Sequence, residues 1–103
     1  MDTQLKKGVL GLCILHLIAE QEIYGYEVMK RVQHEFPDIY EGSIYAVLRR
    51  LAADGCAMTV LRASDAGPMR KYYQITNVGR QLLDDTLLEW RKLCEGVRDL
   101  GIM

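Results

Sequence analysis

The sequence predicts one mainly α-helical domain carrying a single β-hairpin, its elements in the order α-α-α-β-β-α. Three observations predict it. Three segments in the first half space their apolar residues as helices do, a Gly-Pro turn cluster separates two strand-like runs, and a last amphipathic segment outlasts every other element. The 103 residues suit one domain with a modest core.

The first segment, GVLGLCILHLIAEQ from Gly8, is apolar on nearly every side of a helical wheel, with His16 its only strongly polar residue before Glu20. A helix of that kind is expected to be buried. In so small a domain, part of it should face another subunit. In YGYEVMKRVQHEF, residues Val28, Met29, Val32 and Phe36 recur at helical spacing, and Pro37 and Asp38 end the segment. EGSIYAVLRRLAADG offers Ser43 as a helix cap, an inner stripe of Ile44, Val47, Leu48 and Leu51, and Gly55 as the residue that ends the helix.

AMTVLRA and RKYYQI read as two strands joined across SDAGP, the turn falling at Gly67-Pro68. Thr76 should then cap a helix reaching Leu100, roughly 36 Å at 1.5 Å per residue. Three short helices with a compact turn between the second and third, followed by a hairpin, describe a winged helix-turn-helix. Residues 1–75 are expected to form that unit and residues 76–103 a helix that pairs subunits. In it, Leu83, Leu87, Trp90, Cys94 and Val97 recur at spacings of four and three, the seam of a helix pair.

Formal net charge is -1, yet positive charge is gathered. Between Ser43 and Tyr73 stand five basic side chains (Arg49, Arg50, Arg62, Arg70, Lys71) against two acidic ones (Asp54, Asp65), an excess of three. Beyond Thr76 the balance is acidic by one. A chain of acidic balance can still meet nucleic acid through one basic face. Arg70 and Lys71, just after the turn, are placed for phosphates. Ser43 and Tyr45 lie near the start of the third helix, where side chains reach base edges in a major groove, with Arg49 and Arg50 one turn on. The same residues also fit a solvated hairpin and a half-buried packing tyrosine. Trp90 is either interface packing or one wall of a slot for a flat ligand between two subunits.

Three cysteines, Cys13, Cys56 and Cys94, make no pair at metal or disulfide-framework spacing. His16 and His34 have no partner at triad or metal spacing, so neither enzyme activity nor a cofactor is expected. No basic and apolar leader opens the chain, and its apolar runs are too short to span a bilayer. A cytoplasmic location is expected.

In order and spacing, IYGYEVMKRV, GSIYAVLRRLAADG and GPMRKYYQITNVGRQLL resemble the winged-helix domain of the PadR family of transcriptional regulators, over nearly the whole chain. The resemblance implies a homodimer that represses transcription from a palindromic double-stranded DNA operator, reading it with the third helix and gripping flanking phosphates with the wing. It implies DNA contacts from Tyr26, Ser43, Tyr45, Ala46, Arg49, Arg50, Arg70 and Lys71. The chain resembles the short subfamily with a single C-terminal helix. In drug-binding members a tryptophan at the place of Trp90 pairs with its mate around planar aromatic compounds. Leu10, Ile14, Leu87 and Cys94 align with the lining of that pocket. Leu12, Leu83, Leu87, Trp90, Cys94 and Val97 are the implied dimer contacts. Two positions depart from the pattern: Ala46 stands where many members carry proline, and Cys94 where some drug binders carry a polar or acidic residue. Two other readings use the same residues, a redox switch through Cys94 and its mate, and a protein-interaction module whose wing never meets DNA.

Overall fold

The computed structural model describes residues 4–102. Its elements are α1 (Gln4–Glu20), β1 (Ile23–Tyr24), α2 (Gly25–Glu35), α3 (Glu41–Ala53), β2 (Ala57–Arg62), β3 (Arg70–Ile75) and α4 (Asn77–Asp99). The four helices and the hairpin stand where the sequence puts them. The two-residue β1 is additional, and it makes the sheet three-stranded and antiparallel in the order β1-β3-β2. Ile23 pairs with Tyr73 and Tyr24 with Tyr72, so β3 is the central strand.

One core joins the helices to the root of the sheet. Ile14, Leu15 and Ile18 of α1 meet Val28 and Val32 of α2, Ile44 and Leu48 of α3, and Ile23 and Tyr73 of the sheet. The stripes predicted for α2 and α3 are the buried ones, with Phe36 and Val47 at the margin. α1 departs from expectation. Only one side of it is buried, and His16 is exposed beside Glu20 at 3.6 Å. Its outer apolar side lies open in the single chain.

Ser43 does not cap α3. The helix begins at Glu41, and Tyr40 is the flanking residue, with extended backbone (φ -69, ψ 137) and no side-chain cap. Glu41 in the first turn places a carboxylate against the positive end of the helix dipole, which favours the earlier start. Ser43 is already helical, its N–H donating to the Tyr40 carbonyl at 3.0 Å. The other end fits expectation: Gly55 has φ +77, a conformation that costs glycine little.

α4 is anchored at its root. The Thr76 hydroxyl accepts from the Gly79 N–H at 3.1 Å and donates to the Gly55 carbonyl at 2.5 Å. Gly79 has no room for a side chain, since an added Cβ would collide with the Cys56 carbonyl oxygen. That close approach lets α4 press directly on the start of β2. Beyond it only Leu83 is buried, and Leu88, Trp90 and Leu93 are exposed along the shaft.

Candidate nucleic-acid interface

The predicted DNA-contacting residues come from three segments, and the sheet is what joins them. Tyr24, the extended residue ahead of α2, lies on the outer sheet face with Tyr72, their ring centroids 5.6 Å apart. Tyr26, in the first turn of α2, stands 6.0 Å from Tyr24. Two cations close the row: the Arg70 guanidinium lies 5.0 Å from the centre of the Tyr24 ring, and the Lys30 ammonium 5.7 Å from that of Tyr26. Such contacts hold a cation on an aromatic face without neutralising it.

The start of α3 borders this row. Tyr45 is half-buried, and burial pushes its phenol up, helped by the Glu41 charge and by its neighbours Tyr24, Tyr26 and Tyr73. Ser43 is half-buried, while Ala46, Arg49 and Arg50 are exposed. Burial also pushes the Tyr73 phenol up, against the pull of the nearby Arg49 charge. Thus Tyr26, Tyr45 and Arg70 are brought together, and Arg49 lies close to the root of the wing.

Arg70 and Lys71 are both exposed, but successive strand residues face opposite sides. Arg70 pairs with Arg62 and shares the outer face with Tyr24 and Tyr72, whereas Lys71 pairs with Leu61 on the face that Tyr73 buries further in. The two cations therefore straddle the hairpin and do not form one patch. Arg62, counted with the positive excess, is neutralised locally. Its Nε donates to Glu22 Oε2 at 2.5 Å and its second nitrogen to Oε1 at 2.6 Å.

The second candidate region is the open side of α1. A groove of about 660 Å³ runs between α1, α2 and α4, lined by Val9, Leu12, Cys13, His16 and Leu17, by Arg31, Val32, His34, Glu35 and Phe36, and by Leu87 and Trp90. A smaller hollow of about 420 Å³ continues along α4 past Trp90 to Leu93, Cys94 and Val97. Trp90 stands between the two. Three of the expected interface and pocket residues are turned inward in the single chain. Leu10 and Ile14 line neither space, being 3% and 0% exposed within the chain's own core. Leu83 is likewise buried in that core. A helix apolar all round gives no periodic sign of which side its own domain covers, and the contacts of α4 decide it.

Sequence reasoning missed Tyr24, Lys30, Tyr72 and Glu22. The pair of tyrosines in RKYYQI is a visible signal, but Tyr24 and Glu22 matter only through β1, which is too short to show alternation.

A three-helix body with a strand-built wing beside the start of its third helix defines the chain as a winged helix-turn-helix protein. Residues 14–85 match the family model described as the transcriptional regulator PadR-like family, and the chain belongs to that family of DNA-binding transcriptional regulators. It is therefore a regulator and not an enzyme. A PadR-like transcriptional regulator from Bacillus cereus strain ATCC 14579 is 40% identical, with a TM-score of 0.84 over 94% of this chain and 95% of that one. A Streptococcus transcriptional regulator is 33% identical, with a TM-score of 0.84 over 96% and 98%. A transcriptional regulator of Mycobacterium tuberculosis is 29% identical over 82 residues, 80% of this chain and 76% of the relative. Among the described residues, no helix is long and apolar enough to cross a membrane.

Proposed function

We propose that this regulator acts in the cytoplasm as a homodimeric repressor, and that a planar aromatic molecule releases it from a palindromic operator. Residues 1–75 bind DNA: the first turns of α3 enter the major groove, with Ser43, Tyr45 and Ala46 at the bases. Arg49, Arg50, Arg70 and Lys71 hold phosphates, and Tyr26 abuts the backbone. Residues 76–103 pair the subunits through Leu87, Trp90, Cys94 and Val97 against Leu12 of α1. The observation that carries the DNA reading is the row Lys30, Tyr26, Tyr24, Arg70 beside Tyr45, which keeps cations charged and exposed next to the third helix. The effector reading rests on the groove beside Trp90, whose walls are mainly apolar, with His16, Arg31, His34 and Glu35 among them, and whose volume is of the order a drug-sized ligand occupies.

The test is the salt dependence of binding to a fragment carrying the regulator's own promoter. Arg70→Ala with Lys71→Ala should weaken binding to operator and random DNA alike, and lower the log–log salt slope by about 0.9 for each phosphate no longer held. Tyr45→Ala should instead narrow the gap between operator and random DNA. An unchanged slope in the folded double variant removes the wing from the interface.

A further inference from the structure

Arg62 and Arg70 stand directly opposite each other at the mouth of the wing. Like charges in that register repel, so each is expected to be drawn aside. They are drawn aside differently. Arg70 lies over the Tyr24 ring and keeps its full charge for a ligand. Arg62 makes a two-pronged ion pair with Glu22, in the turn between α1 and β1, and Gln74 adds a third hydrogen bond to the same carboxylate at 2.5 Å. Planar guanidinium and carboxylate groups match in this way, and a phosphate would offer Arg62 the same two-oxygen edge.

We infer that Glu22 is a built-in phosphate mimic, which occupies Arg62 and keeps it off DNA, so that this residue limits the affinity of the wing. The inference rests on the reading of the wing as a phosphate clamp. Three hydrogen bonds reach the carboxylate, and its acidity follows from them: the Arg62 bonds first, then Gln74, hold Glu22 at about 2, so it is fully ionised wherever the protein binds DNA. Because the carboxylate belongs to the turn before β1 and its partners to the two wing strands, the three bonds also tie the wing to that turn. A regulator with a modest grip on random DNA leaves its operator contacts to decide where it binds, since phosphate contacts carry affinity without sequence information.

The experiment compares salt slopes on random-sequence DNA for four full-length proteins: the parent, Glu22→Gln, Arg62→Ala, and the two changes combined. Glutamine keeps the shape and an acceptor for Gln74, and thermal melting checks that the fold persists. Glu22→Gln should steepen the slope by about 0.9 per subunit, the signature of one more phosphate held. Arg62→Ala should leave the parent slope unchanged, and the combined variant should show no steepening. A parent slope that flattens on Arg62→Ala overturns the inference, because Arg62 would already be on a phosphate. So does an unchanged or flatter slope in folded Glu22→Gln. If Arg70→Ala with Lys71→Ala also leaves the slope untouched, the wing reading falls and the mask with it. If that pair flattens the slope while Glu22→Gln does nothing, the mask alone falls.

Discussion

The two exposed regions of this molecule are built on opposite principles. Around Tyr24 the surface is finished. Aromatic rings pack on one another, cations lie across them, and the Glu22 carboxylate accepts two hydrogen bonds from Arg62 and a third from Gln74. Along α1 and α4 the surface is unfinished. Val9, Leu12, Cys13, Leu17, Leu87 and Trp90 line a mainly apolar groove, Leu93 lines its continuation, and Leu88 stands exposed on α4. A finished polar surface waits for a charged ligand and is stable without one. An open apolar surface gains stability when something covers it, because apolar area in water costs about 25 cal/mol per Å². Under the proposed function, the difference separates a site for recognition from a site for assembly.

The sharpest way to break the comparison is to remove the assembly side. Deleting residues from Leu82 onward strips Leu83 from the core and Leu87 from its margin, uncovering α1. The expected result is an aggregated or unfolded chain by size exclusion and circular dichroism. A soluble, folded monomer would show that the apolar side of α1 needs no cover, and the contrast would dissolve.

A smaller effect is expected at Trp90. It is the sole tryptophan, so its fluorescence reports on this groove alone. Planar aromatic dyes should quench it with micromolar affinity, about -8 kcal/mol. Stacking on two rings contributes about 1–3 kcal/mol, so Trp90→Ala should weaken dye binding by roughly one to two orders of magnitude. Dye binding that leaves operator affinity unchanged would mean that assembly and recognition are not coupled. No quenching across a varied panel would return Trp90 to simple packing.

The smallest effect sharpens the recognition side. In the folded chain Glu22 titrates at about 2, against an ordinary value of 4.5. A depressed carboxyl stabilises the fold above its unfolded value. Here that contribution is complete above about pH 4.5 and is lost as pH falls through about 2. A carboxyl NMR titration should therefore find Glu22 among the most acidic groups, and Arg62→Ala should move its midpoint upward. A midpoint near 4.5 in the parent would show the pair to be loose.

Much of this is legible in the sequence. Apolar spacing marked the inner stripes of α2 and α3, Thr76 marked the start of α4, and GPMRKYYQIT marked the wing. Those features are local, and each is written within one turn or one hairpin. The motifs that resemble PadR regulators lie in the same stretches, which is why the family was readable too. α1 was the exception among the helices, since a wheel apolar all round does not say that Leu10 and Ile14 face inward while Leu12 and Cys13 face the groove.

By itself, then, the sequence determined the helices, the hairpin and the class of protein, because propensity, capping and hydrophobic period act over a few residues. Tertiary structure alone decided which distant side chains meet. β1 exists only because Ile23 and Tyr24 find Tyr73 and Tyr72 far along the chain, and Glu22 meets Arg62 forty residues away. A two-residue strand has no period to read, and an ion pair across a sheet leaves no mark in either local segment. The close approach of Gly79 to the Cys56 carbonyl is of the same kind. It sets where α4 leaves the body, and so which side of α1 is left open.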